Sequence, residues 1–200
     1  MNRIKDQIIR KFKEGSLLIK LIYINLAFFV VVRLIMAFIS IGGGYPDVIL
    51  NWLALPANYD RLISRPWTIF TYMFLHYNFF HLLFNLIALY WLGQIFMSYL
   101  GEKRLLSIYL LGGLSGAAAY FISYNIFDGL EILNSEAIVL GASGAVFSIM
   151  VAIAFIAPRH KVYLPFISMI DLKWIVIFFL GLDLLSLPGG NTGGHIAHLG

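Results

Sequence analysis

The chain has 200 residues, of which 60% are hydrophobic and only 12% charged, with a mean hydropathy of +0.86 and a formal net charge of +4. A soluble domain carries about a quarter charged residues, so a water-soluble globular fold is excluded, and apolar stretches of roughly 15 to 24 residues point to a multi-span, all-α membrane protein. Cysteine is absent, which also excludes disulfides, thiolate metal sites and cysteine nucleophiles.

Residues 1–20, MNRIKDQIIRKFKEGSLLIK, hold six Lys or Arg and place Ile4, Ile8 and Phe12 on one helical face. They predict a basic cytoplasmic segment lying on an anionic leaflet. The transmembrane domain is expected over 21–200, with spans at about 21–41, 79–98, 104–124, 143–158 and 172–187, and a sixth, truncated in this chain, from 194 to 200. Arg33 inside the first span needs a neighbouring helix or a path to the interface. Between the first two spans, residues 42–78 mix turn-forming Gly and Pro with Trp52, Leu53, Leu62 and Trp67, as expected of a loop half dipped into lipid.

Charge placement sets the topology. The N-terminal six, Lys103, Arg104, Arg159, Lys161 and Lys173 put 11 of the 14 basic residues on one side. By the positive-inside rule the N-terminus is cytoplasmic, and the loop and the Ser143 end of the fourth span face outward. The segment GLEILNSEAIVL before Ser143 has acids but no base, as an external loop should. The basic charge is therefore topological, and no nucleic-acid partner is expected.

Four of the five histidines, His76, His81, His195 and His198, map to the outer ends of their segments. His81 and Asn85, four apart, share a helical face and both can donate hydrogen bonds. Ser143 opens its apolar run, so its amide falls in a first helical turn, where N–H groups lack internal partners and the dipole is positive. Phe147 lies one turn along, placed to pack against an imidazole, and either His195 or His198 could take the serine proton. We read Asp183, near the outer end of the fifth span, as a packing or gating group rather than an acid that orients the base. Ser115, within LGGLSGAAA, is read as helix packing. Each motif alone has a structural explanation; together they supply the parts of an acyl-transfer site.

RPWTIFTYMFLHYNFFHLLFNL, GASGAVF and GGHIAHLG, in this order and spacing, resemble the rhomboid intramembrane serine proteases from about Arg65 onward. The resemblance implies a six-helix bundle around a water-filled cavity open to the outside, with Ser143 as nucleophile and His81, Asn85 and the Ser143 amide as oxyanion donors. It implies His198 as general base, with His195 as the alternative register, and Gly141, Gly144 and Phe147 packing around the site. His76 matches a loop histidine that looks structural in relatives. The implied partners are transmembrane segments of substrate proteins and membrane lipid, with no cofactor and no metal. The expected location is a bacterial inner membrane, and oligomeric state is left open. Where some relatives have a Trp-Arg pair and a glutamate, this chain has Trp67-Thr68 and Met97, so the loop is expected to be held by other contacts. Two rival readings share part of the pattern. A catalytically inactive relative that binds transmembrane segments predicts a missing nucleophile or base. A histidine-lined transporter predicts intramembrane carboxylates and internal repeats.

Overall fold

A computed structural model describes residues 14–131, 136–164, 168–189 and 191–200. Residues 1–13 of the predicted basic segment, and 132–135 of the predicted external loop, lie outside the described residues. The chain is predominantly helical. The long helices are α1 (Leu17–Ile41), α2 (Phe79–Leu100), α3 (Glu102–Ile126), α4 (Ser143–Ile156), α5 (Leu172–Ser186) and α6 (Thr192–Leu199).

Among the described residues, α1, α2 and α3 are long and apolar enough to cross a membrane. Of the five spans and the incomplete sixth expected from the sequence, only the first three meet that criterion: α4 has 14 residues, α5 has 15 and α6 has eight, against the roughly 20 that a span requires. The protein is an integral membrane protein whose central layer is α3. That helix packs against α1, α2, α4 and α6.

Small residues explain why α3 is central. Gly112, Gly113, Gly116 and Ala117 are buried along it, and a Cβ at Gly116 would lie 2.5 Å from the carbonyl oxygen of Ala197 in α6. From the other side, a Cβ at Gly144 would lie 2.9 Å from the same oxygen. The α6 backbone is thus wedged between two glycines, one on α3 and one on α4. No larger side chain fits there without moving it.

Residues 42–78 form a packed cap of short helical turns at 48–53, 59–64 and 68–71 with a 3₁₀ turn at 72–74. What holds the cap is aromatic and polar. Trp52 and Trp67 stack with centroids 6.0 Å apart, Arg65 lies over Trp52 and donates to the Asn51 carbonyl at 2.8 Å, and the Trp67 indole donates to the Trp52 carbonyl at 2.8 Å. Thr71 donates to Leu53 O at 2.6 Å. Arg33 reaches the loop from α1 through a hydrogen bond to the Tyr77 carbonyl and lies over the Phe29 ring, which answers the question its charge raised. A short strand in the cap, β1 (Leu55–Pro56), pairs antiparallel with β2 (Ile138–Val139), just before α4.

At the opposite end, β3 (Lys161–Leu164) pairs antiparallel with β4 (Ser168–Asp171). His160 there shares a hydrogen bond with Tyr99 at 2.9 Å, and Lys161 pairs with Asp171 at 3.0 Å. Neither strand pair was expected, since strands this short leave no alternating pattern in the sequence.

Candidate active site

Four elements converge on Ser143. Its own helix begins there because the preceding residues are pinned by the cap: the Gly141 amide donates to the Tyr72 carbonyl at 2.9 Å, and the Tyr72 hydroxyl donates to Gly113 O on α3 at 2.5 Å. Gly141 has φ +136°, a conformation that favours glycine, and the turn it makes delivers the next residues into α4. Ala142, the N-cap, offers no side-chain hydrogen bond, so the first-turn amides of α4, beginning with that of Ser143, are left uncapped. Ser143 is half-buried.

The second element is the start of α2. Asn78 caps it by accepting from the His81 amide at 2.8 Å, which fixes His81 in the first turn. The Tyr77 amide lies 3.3 Å from His81 Nδ1 and donates to it, so Nδ1 is the acceptor and the ring proton resides on Nε2. His81 Nε2 and Ser143 Oγ both border Gly141, where a Cβ would meet them at 3.0 Å and 3.4 Å. One turn further, buried Asn85 spends one amide hydrogen on the His81 carbonyl at 2.8 Å and keeps a second donor. His76 packs edge-on against His81 with centroids 5.2 Å apart. Burial, reinforced by the charge of His81, pulls the His76 pKa down to about 4.

The third and fourth elements are α6 and α5. The His198 ring stacks on Phe147 at 5.6 Å between centroids and 11° between planes, the packing predicted for that aromatic. Asp183 on α5 requires a correction. Expected to serve packing or gating, it places one oxygen, Oδ1, 2.7 Å from His195 Nδ1 and 3.0 Å from His198 Nδ1. The reason is geometric: three residues apart on α6, both histidines face the buried end of α5, and a carboxylate there is stabilised by their N–H groups. The signal was in the sequence, because an ionisable residue within an apolar span marks a functional contact by default.

Two cavities flank the site. One, of about 440 Å³, runs between α2 and α5 and is lined by Phe84, Leu92, Phe179 and Leu182 together with Asp183 and His195. The other, of about 600 Å³, lies under the cap among Tyr77, Asn78, His81 and Asn191. Asn85, Ser143 and His198 are the residues common to both. His195 lines only the apolar cavity, and Ser143 makes no direct hydrogen bond to either imidazole in this resting arrangement. Catalytic hydrogen bonds often tighten only when substrate is bound. Asn78 and Tyr77 escaped the sequence reading, although an Asn directly before an apolar helix is an N-cap signal.

A family model of the rhomboid domain matches residues 64–200. RHOMBOID-like protein 12, mitochondrial, of Arabidopsis thaliana is 34% identical over 146 residues, covering 68% of this chain and 44% of that protein. Rhomboid protease GlpG of Pectobacterium atrosepticum is 33% identical over 122 residues, 60% of this chain and 40% of the relative. Rhomboid protease GluP of Bacillus subtilis is 29% identical over 175 residues, 86% and 32%. The chain spans less than half the length of each of these three relatives.

Proposed function

This chain belongs to the rhomboid family, and from that premise we propose that it is an intramembrane serine endopeptidase that cleaves transmembrane segments of other proteins, with Ser143 as nucleophile and His198 as base. The observation that carries the reading is the junction of two unlike cavities at Asn85, Ser143 and His198. An apolar cavity between α2 and α5 suits a substrate segment arriving from lipid. The cavity under the cap, where Asn78, His81 and Asn191 join Leu50 and residues 138–140 in the lining, is the more polar of the two and suits the water that hydrolysis consumes. The same junction favours His198 over His195, since only His198 borders both spaces and is braced by Phe147.

The chemistry follows from the donors. Ser143 Oγ attacks the substrate carbonyl carbon while His198 Nε2 removes its proton, and the resulting imidazolium returns that proton to the leaving amine. Negative charge on the carbonyl oxygen is met by the Ser143 amide at the positive end of α4, by His81 Nε2–H and by the free Asn85 N–H. Water entering beneath the cap then hydrolyses the acyl-enzyme, with His198 as base again. A site of this kind, with the basic N-terminus cytoplasmic, opens to the outer side of the membrane.

The test uses the natural full-length protein in proteoliposomes with a transmembrane reporter and a fluorophosphonate probe. We expect cleavage and a probe adduct on Ser143, both abolished in Ser143→Ala and His198→Ala, with His195→Ala retaining measurable cleavage. Cleavage undiminished in Ser143→Ala would refute the reading, and cleavage kept by His198→Ala but lost in His195→Ala would move the base to His195.

A further inference from the structure

A serine–histidine pair alone leaves the imidazole to choose its own tautomer and orientation. In this chain it has no such freedom. Asp183 is buried, 6% exposed, and a carboxylate has only acceptors to offer. For both His195 and His198 to approach the same oxygen at 2.7 and 3.0 Å, each must donate from a protonated Nδ1. In His198 this leaves the lone pair on Nε2, the nitrogen the proposed reaction needs. The two rings stand perpendicular, 6.2 Å apart, and His195 reaches the carboxylate without bordering the cavity under the cap, which His198 shares with Ser143.

Resting on the protease reading above, we propose that Asp183 is a positioning residue: through one oxygen it holds His198 in the Nδ1–H tautomer and stabilises the imidazolium that forms, while His195 braces the carboxylate from the other side. The proteolytic unit is then Ser143, His198 and Asp183 with a second histidine as buttress. During attack, the proton leaving Ser143 Oγ goes to His198 Nε2, and the new positive charge is balanced by the Asp183 carboxylate, which itself takes up no proton.

The titratable groups around His198 are Asp183 from α5, His195 from its own helix and, at longer range, His81 from α2; α4 and α3 present Phe147, Ser143 and glycine there. Asp183 is thus the one anion facing this imidazole among the described residues, and its removal acts in a defined direction. A metal ion is the other occupant such a trio could take, since its three ligand atoms lie within 4.8 Å of one another. The 2.7 and 3.0 Å separations favour protons: two ligands of a tetrahedral zinc stand about 3.3 Å apart.

The experiment measures kcat and KM of reporter cleavage by the natural full-length protein and its Asp183→Asn, Asp183→Glu, His195→Asn and Ser143→Ala variants, with and without a chelator. With Ser143→Ala silent, we expect Asp183→Asn to lose on the order of 10²- to 10³-fold in kcat with KM within about threefold. Asp183→Glu should recover part of the rate because it restores the charge, and His195→Asn should lose about tenfold. An Asp183→Asn protein with kcat within threefold of wild type overturns the assignment and leaves the protease reading standing. Activity lost to the chelator and restored by zinc likewise replaces the buttress with a metal site. Cleavage undiminished in Ser143→Ala fells both readings.

Should Asp183→Asn not fold, ¹⁵N-histidine NMR of the wild-type protein decides. Neutral His198 carrying its proton on Nδ1 supports the proposal, and a proton on Nε2 overturns it.

Discussion

Two serines set among glycine and alanine show how little a motif says by itself. Ser115 on α3 and Ser143 on α4 both sit in small-residue runs, LGGLSGAAA and GASGAVF. Ser115 lies on the outside of the bundle and returns its hydroxyl to its own helix, donating to Gly112 O at 3.1 Å. Ser143 stands at the start of a helix with uncapped amides, shares two cavities with an imidazole and an amide, and borders Gly141 as His81 Nε2 does. The glycines do different things too. Those of α3 bring backbones together, whereas Gly141 turns the chain and Gly144 makes room for α6. What separates the two serines is what other helices aim at each.

The largest effect expected from breaking the contrast is Ser143→Ala, which removes the proposed nucleophile and should cost on the order of 10³-fold or more in kcat while leaving thermal stability in detergent close to wild type. Turnover of a reporter and a melting curve on the same preparation check both halves. A large fall in stability would mean that Ser143 serves packing rather than chemistry.

Much of this was readable before any coordinates. Depth and spacing singled out Ser143, His81 and Asn85 as candidates, because a helix fixes which residues share a face, and the described helices begin and end within a few residues of the apolar runs in the sequence. Asp183 was seen but misjudged. Its partners are 12 and 15 residues away on another helix, and no periodicity reports how α5 and α6 fold back on each other. The cap's contacts were equally opaque: Trp52 on Trp67 and β1 on β2 join residues whose separation in sequence carries no pattern. The apolar runs were legible too, and the shortness of α4, 14 residues, lets its first turn lie inside the protein beside the cavities.

Second in size is Gly144→Val, which sharpens the difference between glycines that pack and glycines that position. Its Cβ would lie 2.9 Å from the Ala197 carbonyl, a backbone atom that cannot rotate away. Overpacking of this kind costs about 1 to 3 kcal/mol, and here the strain falls on the residue next to His198. Activity should drop by more than tenfold even in the fraction that remains folded. Gly129→Val, where a Cβ meets nothing within 4 Å, is the matched control and should change neither rate nor melting temperature.

Third comes a contrast between histidines that separates the buried loop residue from those beside Asp183. Folded His76 stays neutral down to about pH 4, whereas the unfolded chain titrates near 6.5. Unfolding therefore takes up a proton between these values, so stability should be level above about pH 7 and fall by up to about 3 kcal/mol as pH drops from 6.5 towards 4. Thermal unfolding in detergent across that window measures it, and His76→Gln should flatten the slope. A slope that persists unchanged in His76→Gln assigns the titration to another group.

The smallest effect is expected from Ser115→Ala, and it carries the comparison's lower bound. The lost hydrogen bond runs within α3, to a carbonyl three residues back, and such bonds slightly oppose helix geometry. Alanine also gains roughly half a kcal/mol of helix propensity over serine. Both terms are small and favour the helix, so cleavage should stay within twofold of wild type and the melting temperature should hold or rise slightly. Because no other helix among the described residues directs a polar group at Ser115, a tenfold loss of activity would show that the small-residue face of α3 does more than pack, and the distinction drawn between the two serines would have to be abandoned.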